Sequence, residues 1–214
     1  VIDMENSPTP RRQRGRPRSF DRDEALEGAM RLFWSRGYEG TSISDLTEAM
    51  GVTTPSLYAA YGDKQRLFLE AVAHYEQTAG CFAREALTAE PTAERAVRRL
   101  LHGAVQTFAA PQTPKGCLVV LGATNCSAQS AEVGEALGER RRAAEAAVTA
   151  RLQAGREAGE FAADADVDAL AALVTATLFG LAIKARDGAS VEHLLKVVEQ
   201  LMAMWPRPDA ATEG

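Results

Sequence analysis

The chain has 214 residues, 46% of them hydrophobic and 25% charged, a balance that excludes wholesale disorder and suits one or two folded units. Its formal net charge of −5 speaks against DNA binding by the chain as a whole, because phosphate neutralisation drives most protein–DNA affinity; the placement of charge therefore matters more than its sum. No uninterrupted apolar run approaches about 18 residues and the first residues lack an apolar signal region, so no membrane partner is expected and the cytoplasm is the expected compartment.

Residues 1–18 read as a flexible basic arm. Arg11, Arg12, Arg14, Arg16 and Arg18 crowd one short segment, and Pro8, Pro10, Gly15 and Pro17 deny it a helix. Asp21 then offers a helix cap, with Glu24 three residues on and Phe20 placed for a hydrophobic staple. Leu26, Ala29, Met30 and Phe33 follow at helical spacing, and Gly37 closes the helix. Thr41 and Ser42 can cap a short second helix carrying Ile43, Leu46 and Met50 and ending at Gly51. Thr54 before Pro55 reads as cap and first helical residue of a third helix, which carries Leu57, Tyr58 and Tyr61 and stops at Gly62. From Asp63 a longer helix carries Leu67, Phe68, Ala71, Val72 and Tyr75. Later helices are expected near Thr92–Phe108, Lys115–Asn125, Ala131–Glu157, Val167–Arg186 and Val191–Met204, with a disordered tail over 207–214.

Two short helices separated by Ala49, Gly51 and Val52 have the proportions of a helix-turn-helix, whose second helix enters the major groove while the first crosses the backbone. The stretch Gly37–Phe68 closely resembles the N-terminal domain of the TetR family of regulators, and PKGCLVV resembles a Gly-Cys-Leu motif of one subset of that family. The resemblance implies an all-α fold of about nine helices: a DNA-binding unit over residues 19–65 and an effector-binding and dimerising unit over 66–206. The carboxylates read as helix-surface charges, no G-x-S-x-G nucleophile motif is present and the cysteines lack an evident His partner, so no enzyme is expected.

Carried over by position, Ser42 and Lys64 resemble the family's phosphate contacts and Tyr58 the aromatic that reaches the DNA backbone. Ser44, Thr54, Pro55 and Ser56 fall where the family approaches DNA, and Ala59 and Ala60 suit thymine methyl groups. Residues 19–65 hold only Arg22, Arg31, Arg36 and Lys64 against eight carboxylates, so Arg14, Arg16 and Arg18 are expected to supply the missing positive charge, in the minor groove or on flanking phosphates.

The expected partners are double-stranded operator DNA, a second copy of the chain and a small-molecule effector. Leu170, Val174, Thr177, Leu178, Leu181, Leu194, Val198 and Leu201 are the candidate dimer stripe. Phe82, Phe108, Cys117, Val120, Leu121 and Phe179 are the candidate effector pocket, of apolar or aromatic taste. The odd cysteine count (Cys81, Cys117 and Cys126) without C-x-x-C spacing argues against disulfides and zinc. His74, His102 and His193 lack the i, i+4 pairing of helical metal sites. No metal, cofactor or catalytic group is expected.

The leading reading is a repressor released from its operator by a small molecule. Two alternatives stand beside it: a redox or electrophile sensor in which a helix N-terminus activates Cys117, and a structural or division-associated DNA-binding protein without an effector.

Overall fold

The computed structural model describes residues 21–208, so the arginine arm, Phe20 and residues 209–214 lie outside it. Among the described residues the chain forms ten α-helices, one 3-10 turn and no strand. The first four are α1 (Arg22–Arg36), α2 (Ile43–Met50), α3 (Thr54–Tyr61) and α4 (Lys64–Gln77). The remainder are α5 (Phe82–Ala89), α6 (Ala93–Phe108), α7 (Leu118–Leu121), α8 (Ala131–Glu157), α9 (Val167–Arg186) and α10 (Val191–Ala203).

Local chemistry explains most boundaries. Asp21 accepts the N–H groups of Asp23 at 3.0 Å and Glu24 at 3.1 Å, which fixes the start of α1. Ser42 and Asp45 form a reciprocal capping box on α2. The cap of α3 is Thr53 rather than Thr54, with Thr54 the first helical residue and Pro55 the second. The one-residue shift has a physical cause: the Thr53 hydroxyl meets both the N–H and the hydroxyl of Ser56, and proline is tolerated anywhere in a first turn, where its missing N–H is not needed.

Two elements differ from expectation. Residues 82–89 form α5, which the sequence did not separate from its surroundings. The helix expected over Lys115–Asn125 shrinks to the four residues of α7; Gly116 before it has a positive φ of 85°, and the carbonyls of Lys115, Gly116 and Gly122 accept from Arg186, Trp34 and Tyr38 instead of from a longer helix.

The hydrophobic core runs without a break from Leu46 and Leu57 through Phe33, Phe68 and Tyr75 to Leu118, Val174 and Val198. α1 packs on α2, α4 and α7, and α9 packs on α6, α8 and α10. By length and composition α9 is apolar enough to cross a membrane, and in this fold its apolar inner side is a wall of the core. Close approach of α1 to α2 depends on Gly28, where a Cβ would stand 2.6 Å from the Ala49 carbonyl oxygen.

Candidate functional site

The reading head is built from α2, a tight turn and α3. Gly51 adopts the left-handed conformation at φ 65° and ψ 29°, which a β-carbon disfavours, and the Val52 N–H returns to the Thr47 carbonyl at 3.1 Å. The apolar side of the unit, Leu46, Met50, Leu57 and Tyr61, is buried against α1 and α4. Tyr61 donates its hydroxyl to the Arg22 carbonyl at 3.1 Å, while the Arg22 guanidinium lies 4.7 Å over its ring. These contacts fix the roll of α3, so its opposite side is the one presented outward.

That outward side carries Thr54, Pro55, Tyr58 and Ala59, all exposed, with Ser56 and Ala60 half-buried. No side chain of α3 is charged. Tyr58 is 44% exposed, one of few large apolar residues left in solvent among the described residues, and an exposed phenol suits a surface waiting to be covered. Lys64, at the start of α4, holds its ammonium 4.2 Å over the Tyr38 ring. Partial burial lowers its pKa while the Glu39 carboxylate opposes that shift. The cation is thus positioned by a cation–π contact at the flank of the reading helix.

Ser42 is less free than the sequence implied. Its hydroxyl donates to Asp45 at 2.5 Å and its N–H reaches the same carboxylate oxygen at 2.9 Å, while Arg36 holds the other oxygen at 3.0 Å. Hydrogen bonds from Ser42 are the main reason that the Asp45 pKa lies below its ordinary value. Ser44, two residues on, is exposed and offers its hydroxyl at the first turn of α2. Arg14, Arg16 and Arg18 fall outside the described residues.

The second feature is a cavity of about 120 Å³ between α4, α5, α6, α8 and α9. Five of the six pocket residues expected from sequence line it: Phe82, Phe108, Cys117, Val120 and Phe179. Leu121 does not; its side chain packs instead beside Gly116. The sequence reading missed Tyr75 and Ala83, which complete the apolar wall, and Glu76, Arg140 and Arg141 at its margin. Glu76 lies four residues after the buried Val72, but a carboxylate on a long helix reads as a surface charge.

Glycines shape this space: a Cβ at Gly103 would sit 2.9 Å from Phe82, and one at Gly80 would sit 3.1 Å from Tyr75. Phe82 and Phe108 meet edge to face at 6.0 Å. Glu76 pairs with Arg140, and burial raises the Glu76 pKa against the opposing pull of that arginine. Cys117 is buried, and its sulfur accepts the Tyr75 hydroxyl at 3.4 Å. Burial pushes the Cys117 thiol above its ordinary value. That direction is opposite to the lowering expected of an activated thiolate: α7 has a single turn, and desolvation outweighs what so short a dipole supplies.

The cavity and the reading head are joined by hydrogen bonds. Trp34 donates its indole N–H to the Gly116 carbonyl at 3.0 Å, and the Tyr38 N–H donates to the Gly122 carbonyl at 2.7 Å. Arg186, at the end of α9, donates to the carbonyls of Trp34 at 2.9 Å, Ser35 at 3.4 Å and Lys115 at 3.1 Å. Glu39 accepts the Ser127 N–H and hydroxyl, each at 2.9 Å. The last turn of α1 is therefore tied to the segment that contributes Cys117, Val119 and Val120 to the cavity.

Of the expected dimer stripe, Val174, Leu178, Leu181, Leu194, Val198 and Leu201 are buried inside this subunit, and Leu178 also lines the cavity. Leu170 and Thr177 are half-buried, and Thr177 and Leu201 border an outward groove between α9 and α10. The outward side instead presents Leu173 at 45%, Ile183 at 49% and Met204 at 60% exposure.

Comparison with known proteins places this arrangement. Residues 25–71 match the family described as bacterial regulatory proteins, tetR family, and residues 93–201 match the tetracyclin repressor-like C-terminal domain. The chain belongs to the TetR family. It is 34% identical to the HTH-type transcriptional repressor ComR of Escherichia coli K12 over 92% of this chain and 94% of that one. It is 26% identical to the HTH-type transcriptional repressor AcnR of Corynebacterium efficiens over 88% and 94% of the two chains. Among solved structures, a cysteine-substituted TetR family regulator, CifR, complexed with 26-bp double-strand operator DNA, is 44% identical with a TM-score of 0.86, covering 90% of this chain and all 100% of that one. As a TetR family member this chain is a helix-turn-helix transcription regulator.

Proposed function

We propose that this TetR family protein is a cytoplasmic, homodimeric repressor that leaves its operator when a small molecule fills the cavity beside Cys117. The observation that carries this reading is the pair of features on one continuous core: an uncharged, outward-facing α3 and an apolar cavity whose lining segment is hydrogen-bonded to α1. Repressor names among the relatives and the operator DNA bound to CifR support the first half. The ties from Trp34, Tyr38 and Arg186 to the 115–122 segment support the second. A ligand that pushed Val119 and Val120 apart from Phe108 would move the end of α1, and with it the attitude of α3 in the groove.

In this reading Lys64 and Tyr58 contact phosphates, Ser44, Thr54, Pro55, Ser56 and Ala59 lie nearest the bases, and Arg14, Arg16 and Arg18 reach flanking DNA. Ser42 contributes through its capping box, which orients the N–H groups of α2. Two copies meet through the outward side of α9 and α10, which presents Leu173, Thr177, Ile183 and Met204.

The test is selection of a binding duplex from a random DNA pool on the purified protein, followed by footprinting and binding at several salt concentrations. The expected outcome is a footprint with two half-sites about one helical turn apart. Lys64→Ala should weaken binding uniformly across sequences and reduce the salt slope by about one, and deletion of residues 1–18 should reduce it further. Recovery of no preferred sequence, with dispersed binding, would favour a structural DNA-binding role. The thiol-sensor alternative receives no support from the setting of Cys117, whose thiol is buried with its pKa raised by that burial.

A further inference from the structure

The chemistry of the cavity narrows its ligand, an inference that rests on the effector reading above. Three observations bear on the choice. First, size: about 120 Å³ compares with the roughly 150 Å³ apolar cavity that accepts one benzene ring, so a single six-membered ring fills it. Second, charge: the guanidinium groups at the margin are already engaged, Arg140 by Glu76 and Arg141 by the Val119 carbonyl at 3.0 Å. A carboxylate ligand would have to break these contacts, and an ammonium would face arginines outnumbering the one carboxylate. The remaining wall is almost wholly apolar, which penalises any ion entering without a counter-charge.

Third, one polar atom is poorly served. Tyr75 is only 2% exposed, and its hydroxyl donates to the Cys117 sulfur at 3.4 Å. A thiol sulfur is a weak acceptor, and a buried phenol donor gains by exchanging it for oxygen. Cys117 and Tyr75 both line the cavity, so an oxygen held there lies within reach of that proton.

We infer that the ligand is an uncharged, monocyclic or similarly compact apolar molecule bearing one oxygen acceptor, a ketone or ether, which takes the Tyr75 hydroxyl from Cys117. Phe82, Phe108 and Phe179 enclose its hydrocarbon part. Tyr75 is the specificity-determining residue; Cys117 serves as a compact placeholder that leaves the donor available.

Calorimetric titration of the full chain, without DNA, tests this with four probes: cyclohexanone, toluene, benzoate and α-tetralone. Cyclohexanone and toluene should bind; benzoate should fail on charge and α-tetralone on size. In Tyr75→Phe, cyclohexanone should lose about three- to tenfold in affinity, the value of one hydrogen bond, while toluene binding stays unchanged, which also certifies the fold of the variant. Equal loss of both probes, or preference for benzoate or α-tetralone over cyclohexanone, overturns the inference. Anisotropy of a selected duplex, read in parallel, separates the two ideas. Cyclohexanone that binds without releasing DNA sustains the ligand class and sinks the effector reading. Release by other compounds with no cyclohexanone binding does the reverse.

Discussion

The sulfur of Cys117 shows how one atom's surroundings override a motif. Its place ahead of a helix suggests a lowered pKa, yet the thiol is buried against Tyr75 and its pKa is raised from an ordinary 9.0. Folding thus favours the protonated form. The stability contributed by that preference is complete below the ordinary value and is lost as pH climbs through the raised one. Iodoacetamide at pH 8 should modify Cys117 far more slowly in the folded protein than in the denatured chain, read by mass shift on the peptide carrying it. The alkaline loss of stability, measured by denaturant midpoint, should be smaller in Cys117→Ala than in the parent. Rapid alkylation of the folded protein would restore the sensor reading. Ser42 teaches the same lesson: its identity as a capping residue was legible, but its engagement by Asp45 depends on a carboxylate whose other oxygen is held by Arg36.

At the scale of elements, the helices with punctuated ends were legible, as was the long α8, whose length makes up for an uncapped start, whereas short helices without such marks were not. Asp21, Ser42, Asp63, Thr92 and Ser190 cap their helices by side-chain acceptance, and Gly37, Gly51 and Gly62 end the first three. α5 has no capping side chain, and the apolar run that holds α7 has no period to read, so neither could be placed. Gly28 illustrates a close approach that no local pattern announces. Gly28→Ala puts a Cβ 2.6 Å from backbone and should cost about 1–3 kcal/mol by overpacking, visible as a lower melting temperature with weakened operator binding; an unchanged melting temperature would mean that α1 and α2 can separate freely. Trp34→Phe keeps an aromatic side chain but loses the indole N–H, stranding the buried Gly116 carbonyl at a cost of about 1–3 kcal/mol, to which the lost volume adds. In the proposed mechanism it should also loosen the link between cavity and reading head. DNA binding without ligand should persist while the ligand's effect on it falls several-fold, measured by anisotropy with and without the cyclohexanone probe.

For the whole molecule, the all-helical plan and the position of the reading head were readable because caps, glycines and apolar spacing agreed over residues 21–77. The pairing face was not, because α9 is apolar on nearly every side and periodicity cannot tell a core face from an interface. Burial separates them: Val174 and Leu181 turn inward, whereas Leu173 and Ile183 turn out. A Leu173→Glu, Ile183→Glu double variant should therefore keep its helical content and become monomeric by analytical ultracentrifugation, with operator affinity reduced by orders of magnitude because two half-sites no longer bind as one unit. If the variant stays dimeric, the copies meet elsewhere.

The bond from Trp34 to Gly116 and the clamp of Arg186 on the last carbonyls of α1 have a bearing on protein engineering. Exchange of reading heads between TetR family members is an attractive route to new sensor–operator combinations, and the sequence suggests a cut near residue 65. In this protein such a cut would sever the head from the carbonyl acceptors and the guanidinium that hold it. A chimaera that keeps its sensing should therefore be assembled from two non-contiguous pieces, with residues 115–122 and position 186 chosen to match whichever head is installed.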